Sequence, residues 1–414
     1  MQFILVTFGS AGDLFPFLWM GRCLRARGHR VDLLGPEQHA PFVESAGLTF
    51  HGLPADPAVL DHPDLWHPTR GLAVVWQATR PAMAHLPQLV EALAGDKQCV
   101  LLVHPLALPE ADLCRLASPG MKIATTYLAP ANLPTVHDPL LLGPWKVPRW
   151  LPHGGRRWLW RSLAARFIDP VALPSLNAAR RQHGLAPVRR LIEYVPAVAD
   201  LSLALFPDWF AAPPLDWPQP LFQAGFPLYD PDPDAAPSCE LRTFLAAGMA
   251  PVVFTPGTGN RQARAYFEAA AHAVGALGLR AVFLTPYRDQ LPPILPPGVC
   301  WQEYVPLKAL LPHVAALVHH GGIGTTAEAM RAGRPQLVVP LAHDQFDNAA
   351  RVESLGVGAS LHARRVTPAR MVEALQRVVG IEAMQARCAA VAIRFNGAGS
   401  ADPLCDRLEA LASG

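Results

Sequence analysis

His319 to Asn348 reads HHGGIGTTAEAMRAGRPQLVVPLAHDQFDN. An apolar run, Ala315 to Val318, drives into a glycine-rich turn. Good helix formers follow from Thr326 to Arg331, and Gly333 and Pro335 stop them. A second apolar run, Leu337 to Val339, ends in a polar loop holding His343, Asp344, Gln345 and Asn348. The order is strand, glycine turn, helix, strand, loop. Such a unit puts a helix N-terminus and two strand ends on one edge of a parallel sheet, where open α/β sheets bind ligands. Gly321, Gly322 and Gly324 let backbone amides approach an anion closely. The helix dipole and the free amides of its first turn favour a phosphate there. Asp344 and Gln345, one strand later, are placed to hydrogen-bond hydroxyl groups. Diphosphate at the turn and hydroxyls at the loop together suggest a nucleotide-sugar.

A glycine-rich strand-to-helix turn alone is common. This one is neither a Rossmann GxGxxG nor a P-loop, because no Gly-Lys-Ser/Thr follows. The weight comes from its combination with the second loop. A further turn upstream, Pro256-Gly257-Thr258-Gly259-Asn260, follows an apolar strand at Pro251 to Thr255 and also offers amides and the Thr258 hydroxyl to a phosphate.

Working outward, 414 residues favour two domains, each able to bury a core. A hydrophobic content of 51% excludes a disordered chain, and a net charge of +2 gives no reason to expect nucleic acid. Seven scattered cysteines with no CxxC fit a reducing compartment and offer no zinc site. No basic leader precedes the first strand, and no apolar run reaches the roughly 18 residues of a membrane span. The expected location is cytoplasmic.

The amino-terminal end has a similar plan. Phe3 to Phe8 is a buried-strand run, Gly9 to Asp13 a flexible loop, Phe17 to Arg27 an amphipathic helix stopped by Gly28, and Arg30 to Leu34 the next strand. Asp13 then stands at the carboxyl edge of a parallel sheet. Judged on the residues alone, a helix cap is the stronger reading of this Asp. His29 reads as a surface residue before a strand. Leu72 to Leu93 carries helix formers that Pro81 and Pro87 should divide into shorter pieces. Cys99 to Val103 and Lys122 to Leu128 are further strands, and their loops, His104-Pro105 and 129–137, should line a cleft.

Trp145 to Phe167 interleaves Trp145, Trp150, Trp158 and Trp160 with Lys146, Arg149, Arg156, Arg157, Arg161 and Arg166. Three uses fit: a helix with core Trp and solvated Arg, the wall of an apolar acceptor pocket, or contact with a membrane surface. The wall is favoured. Asp230-Pro231-Asp232-Pro233-Asp234 contains Asp-x-Asp, a pattern that can hold a metal, but it sits in a proline-rich connector, and no metal is expected. The fold class expected is α/β, with two Rossmann-like doubly wound parallel sheets. The domains expected are 1–228, a linker at 229–240, a second domain at 241–395, and a final helix within 396–414.

Tyr304-Val305-Pro306 through Asn348 resembles the donor-binding signature of the family 1 glycosyltransferases, the two-domain enzymes of the GT-B fold that include plant, macrolide and sterol glycosyltransferases. The resemblance implies that Tyr304 stacks on the nucleotide base and Glu328 takes a ribose hydroxyl. It gives the diphosphate to His320 and Thr325, beside Gly321, Gly322, Gly324 and Thr258, and the sugar hydroxyls to Asp344 and Gln345. GSAGDLFPFL is similar to the GxxGDxxPF opening of bacterial and sterol members, in which that Asp is the general base, and this reverses the order of the two readings of Asp13. Acceptor-pocket candidates are Phe15, His104 and Trp158. In the family the last helix crosses back to the first domain.

Within the family, GSAGDLFPF, AHDQFDNA and Leu205 to Asp230 (LFPDWFAAPPLDWPQPLFQAGFPLYD) resemble the branch of rhamnosyltransferases of bacterial rhamnolipid synthesis. That resemblance implies an inverting, metal-independent enzyme with no cofactor. It implies a dTDP-L-rhamnose donor and a 3-(3-hydroxyalkanoyloxy)alkanoate lipid acceptor. It further implies peripheral contact with the cytoplasmic face of the inner membrane and a partner enzyme that makes the acceptor. Two alternatives stay open: a transferase for a polyketide, sterol or flavonoid acceptor, and a non-catalytic nucleotide-sugar binding partner. An epimerase fits less well, because it needs no apolar acceptor region.

Overall fold

Short apolar runs separated by helices can bury both faces only as inner strands of a parallel sheet. The structure, a computed structural model, describes every residue except 68, 95–97, 134, 138–140, 143–144, 149, 233–235 and 397–399, and leaves out the side chains of 57, 141–142 and 145–146. Arg149, Asp234 and the side chains of Trp145 and Lys146 therefore lie outside the described residues.

The first sheet contains β1 (Gln2–Val6), β2 (Arg30–Pro36), β3 (Thr49–Leu53), β4 (Cys99–Val103) and β5 (Lys122–Tyr127). A separate antiparallel hairpin pairs β6 (Leu141–Leu142) with β7 (Trp145–Lys146). β8 (Leu201–Ala204) and β9 (Leu221–Gln223) complete the first sheet, in the order β3-β2-β1-β4-β5-β8-β9, parallel throughout. The second sheet holds β10 (Val252–Thr255), β11 (Ala281–Leu284), β12 (Val299–Gln302), β13 (Ala316–His319), β14 (Gln336–Val338) and β15 (Gly358–Ser360). Its order is β12-β11-β10-β13-β14-β15, also parallel.

These sheets anchor two units, Met1–Pro231 with Ser400–Gly414, and Asp232–Gly399. The crossing falls at Pro231, inside the span expected as a linker, and the helix Cys239–Ala246 already belongs to the second unit. In each sheet the strand order reverses once, between β1 and β4 and between β10 and β13. The connections leave in opposite directions at these points, so a crevice opens at the carboxyl edge. β1 is wholly buried, with Phe3, Ile4, Leu5 and Val6 at 0% exposure. Each such side chain contributes roughly 1.5–3 kcal/mol of burial, which fixes the strand that leads into the turn and helix of Asp13.

Several elements differ from their sequence expectation. The first helix spans Ala11–Ala26, so Asp13 lies in its first turn, not in a loop. Gly71–Ala94 is one helix with Pro81 and Pro87 inside it. Its apolar stripe, Trp76, Met83, Leu86 and Val90, is buried, and that packing outweighs the roughly 3 kcal/mol an interior proline costs. Gln345 and Asn348 start a helix, Gln345–Leu355, instead of ending a loop.

The last helix, Asp402–Ser413, packs on the first unit. Arg27 reaches Asp402 at 2.8 Å, Asp406 at 2.6 Å and Glu409 at 3.2 Å. His29 is no free surface residue: it is half-buried, with Nε2 2.7 Å from Glu409. Arg27→Ala leaves three carboxylates without their shared cation. We expect a lower thermal midpoint, with a deficit that shrinks as salt is added, because these exposed pairs are screened in the parent protein too. Calorimetry across a salt series checks it.

Candidate functional site

In the second unit, β10 and β13 are neighbours, with Thr255 opposite His319. Their following loops therefore meet. Cβ atoms added at Gly257 and Gly322 would lie 2.8 Å and 2.5 Å from the His320 ring, so these two glycines make room for the imidazole. The His320 Nδ1 is buried with no hydrogen-bond partner, and burial pushes its pKa down to about 4. A neutral ring with an unspent nitrogen is thus held over the turn. An orphaned buried polar atom costs free energy, which a ligand acceptor would recover.

The helix Ile323–Arg331 begins here, with Gly322 as its cap and Thr326 N–H to the Gly322 carbonyl as the first bond of the turn. Three glycines play three parts. Gly321 has φ of +95°, and a Cβ on it would meet Val338 at 2.6 Å, so the fold requires glycine there. Gly322 yields to His320. Gly324 is exposed, and a Cβ on it would meet nothing within 4 Å. Its glycine has no internal reason, which leaves close approach from outside.

The second loop supports the first. Asn348 is fully buried, and its Nδ2 donates to the Gly321 carbonyl at 2.9 Å and to Asp344 Oδ2 at 2.8 Å. The Gln345 Oε1 accepts from the backbone N–H groups of Leu341 (2.8 Å) and Ala342 (3.1 Å). That oxygen therefore shapes the loop, and only the amide donor of Gln345 remains for a ligand. Glu328 pairs with Arg331 at 2.6 Å, Tyr304 is 56% exposed, and Thr258 is exposed with its carbonyl accepting from the Tyr287 hydroxyl. The second unit thus gathers His320, Gly321, Gly322, Gly324, Asp344 and Gln345 around one turn. Asn348, which ties loop to turn, was read from sequence only as part of the loop.

His319 is a residue that sequence reasoning passed over. It is fully buried, its Nδ1 accepts the Gly321 N–H at 3.1 Å, and its Nε2 donates to Gln336 Oε1 at 2.9 Å. Burial first, then the neighbouring His320, push its pKa down to about 3. An unfolded histidine titrates near 6.5, so between about pH 6.5 and 3 the unfolded chain binds the extra proton. Stability from this group is full above about pH 6.5 and falls as pH drops, by up to about 1.4 kcal/mol per pH unit. Denaturant melts at successive pH values should show a shallower acid slope in His319→Gln.

In the first unit, β1 and β4 are neighbours, with Val6 opposite Val103. The segment after β1 therefore meets His104. Ser10 caps the first helix, and the Asp13 Oδ2 accepts the Ser10 N–H at 2.8 Å and its hydroxyl at 3.3 Å. The Thr7 hydroxyl donates to the Asp13 carbonyl, and Gly9, at φ +90°, leaves room for the carboxylate. Asp13 thus closes half of a capping box and remains about one-third exposed. His104 Nε2 lies 3.9 Å from Asp13 Oδ1. Its Nδ1 accepts the Leu106 N–H at 3.2 Å, which places the proton on Nε2, facing Asp13. Burial lowers the His104 pKa and keeps the ring neutral. Phe15 packs against Phe42 and Tyr229. Trp158 is 69% exposed on the helix His153–Leu163, so the core reading does not describe it. Trp160, half-buried, donates to the Thr135 carbonyl at 3.1 Å.

Among the described residues no group of three His, Cys, Asp or Glu is placed to hold a metal ion, and no helix is long and apolar enough to cross a membrane.

Residues 3–104 match the glycosyltransferase family 28 N-terminal domain, and residues 282–411 match the C-terminal domain of the erythromycin biosynthesis protein CIII-like family. The O-mycaminosyltylonolide 6-deoxyallosyltransferase of Streptomyces fradiae is 32% identical over 387 residues, covering 90% of this chain and 87% of that protein. The chain belongs to the family 1 glycosyltransferases. A sterol 3-beta-glucosyltransferase of Candida albicans is 25% identical over 90% of this glycosyltransferase, which spans 25% of that longer protein. Solved structures share the fold. The glycosyltransferase of kitacinnamycin superposes with a TM-score of 0.76 at 21% identity, covering 99% of both chains. A spinosyn rhamnosyltransferase complexed with thymidine diphosphate superposes at 0.67 with 22% identity, covering 99% of this chain and 100% of that one. The architecture is therefore GT-B. Enzymes of this family take a nucleotide-sugar as co-substrate and need no cofactor.

Proposed function

We propose that this glycosyltransferase moves L-rhamnose from dTDP-L-rhamnose to the hydroxyl of a 3-(3-hydroxyalkanoyloxy)alkanoate, with inversion. The observation that carries the donor half is the unpaired His320 Nδ1 held over a helix N-terminus whose Gly324 is open to the outside. A diphosphate would accept from His320, from the first-turn amides and from Thr325. These donors gain strength as charge builds on the leaving group, and that favours the transition state over the bound donor. Tyr304 would stack on the base and Glu328 take a ribose hydroxyl, while Asp344 and the Gln345 amide would hold the sugar. In the first unit Asp13 would take the acceptor proton as the hydroxyl attacks the anomeric carbon from the face opposite the diphosphate. The His104 Nε2–H would keep Asp13 aimed at the acceptor hydroxyl. Rhamnose and the hydroxyacyl lipid are supported by the resemblance carried by Leu205 to Asp230.

A second reading has its own support. The relative from Streptomyces fradiae is named for transfer of a deoxysugar to a macrolide, so a polyketide acceptor is the competitor. Purified protein would be incubated with the hydroxyacyl dimer or a macrolide aglycone, and with thymidine- or uridine-linked donors, and products read by mass spectrometry. A rhamnosylated lipid from the thymidine donor supports the first reading. A glycosylated macrolide with no lipid product replaces it by the second.

A further inference from the structure

A third segment of the first unit reaches the turn that carries Asp13. After β2 a single turn of 3₁₀ helix, Glu37–His39, folds back over the carboxyl edge of the sheet. Its last residue, His39, is 3% exposed. Gly35 makes room for the ring: a Cβ there would lie 3.0 Å from the His39 Nδ1. The His39 Nε2 lies 3.1 Å from the Gly9 carbonyl oxygen. A carbonyl only accepts, so Nε2 carries the proton and donates it. Nδ1 is then bare, and it is buried with no hydrogen-bond partner among the described residues. Burial lowers the pKa of this ring and keeps it neutral. An apolar side chain would fill the same space without an orphaned nitrogen, whose burial costs free energy. What the imidazole adds over such a side chain is the N–H at Nε2.

We propose that His39 is a positioning residue for Asp13, acting through the peptide unit between Gly9 and Ser10. The carbonyl that His39 holds and the N–H that Asp13 Oδ2 accepts at 2.8 Å belong to that one planar unit. In a trans peptide the two groups point in opposite directions, so the imidazole pins one end and the carboxylate sits at the other. Without that pin the plane would turn easily, because Gly9, at φ +90°, has no side chain to resist it. Donation to the carbonyl also polarises the unit and strengthens its N–H as a donor. Oδ2 is thereby fixed, and Oδ1 is left to face His104 and the acceptor proton. This role rests on the reading of Asp13 as the general base. A histidine that merely braced β2 against the loop would hold the fold, but kcat would not then follow the place of the donor nitrogen.

The test is steady-state kinetics on a set of full-length variants, with donor affinity read by titration calorimetry. A glutamine amide nitrogen lies as far along the side chain from Cβ as Nε2 does; an asparagine nitrogen lies only as far as Nδ1. His39→Asn should lower kcat roughly tenfold to ~10²-fold, the cost of a lost hydrogen bond or of about an ångström of misplacement at the base. The acceptor KM and the nucleotide-sugar dissociation constant should stay at the parent values. His39→Gln should recover most of kcat, even if both variants melt at the same reduced temperature. His39→Leu, which also lacks a donor, should behave as His39→Asn and replaces it if that variant does not fold. Made in an Asp13→Asn background, His39→Asn should cost no further kcat, because its effect passes through the carboxylate. The proposal is overturned if His39→Asn and His39→Gln turn over alike, or if the His39 and Asp13 losses multiply. Full turnover in Asp13→Asn would overturn the base reading and this role with it. Loss in Asp13→Asn beside full turnover in His39→Asn would overturn this role alone.

Discussion

Asp13→Asn is expected to lower kcat by ~10²–10⁴, the range a positioned general base supplies, with the dissociation constant for the nucleotide-sugar unchanged. The substitution leaves the cap intact, because an amide oxygen can still accept the Ser10 N–H that Oδ2 accepts now at 2.8 Å. A fall in thermal midpoint would therefore not explain the loss. His104→Ala should cost less, about tenfold, as one weakened charge-assisted contact would. Full turnover in Asp13→Asn would remove the carboxylate from the reaction and return it to helix capping alone. Loss of activity there, with none in His104→Ala, would keep Asp13 and reject its neighbour's part. Steady-state kinetics with donor titration calorimetry separates the cases.

Gly324→Ala and Gly321→Ala should both damage donor binding but differ in stability. At Gly324 a methyl group meets no protein atom, and alanine suits a helix better than glycine by up to about 1 kcal/mol. That variant should melt at or slightly above the parent temperature. Yet it should bind thymidine diphosphate ~10–100-fold more weakly, the cost of one lost charge-assisted hydrogen bond at the phosphate. Gly321→Ala forces a side chain into φ +95° against Val338 and breaks the geometry that Asn348 and His319 hold. It should lose roughly 1–3 kcal/mol of stability along with the ligand. If Gly324→Ala binds the diphosphate like the parent, the turn is not its seat.

The strands were the most legible part. Cys99–Val103 and Val252–Thr255 stand in the structure where their apolar runs placed them, because a run buried on both faces has little else to become. The first helix was misplaced at its start, since Gly12 and Pro16 weaken the helical signal while Ser10 and Asp13 supply the cap that overrides them. Pro81 and Pro87 misled for the opposite reason: a local penalty was exceeded by packing that only the fold provides. The glycine turn was legible as a turn. What ties it down was not, because Asn348 meets Gly321 across 27 residues and His104 meets Asp13 only once β1 and β4 pair. The sequence likewise could not say whether Trp158 faces inward, since Arg156, Arg157, Trp158 and Trp160 alternate too closely for one face to stand out.

The closing helix Asp402–Ser413 has a consequence for rebuilding this enzyme. Because it packs with the unit that the chain left at Pro231, residues 232–399 are an insert with both ends anchored in the first unit. A single break at either crossing would leave the insert tethered by the other. A chimera made by one splice near residue 231 would give the host unit a foreign final helix, facing Arg27 and His29 without the carboxylates they bind. Exchanging donor preference therefore calls for a cassette cut at both crossings, with the native last helix kept.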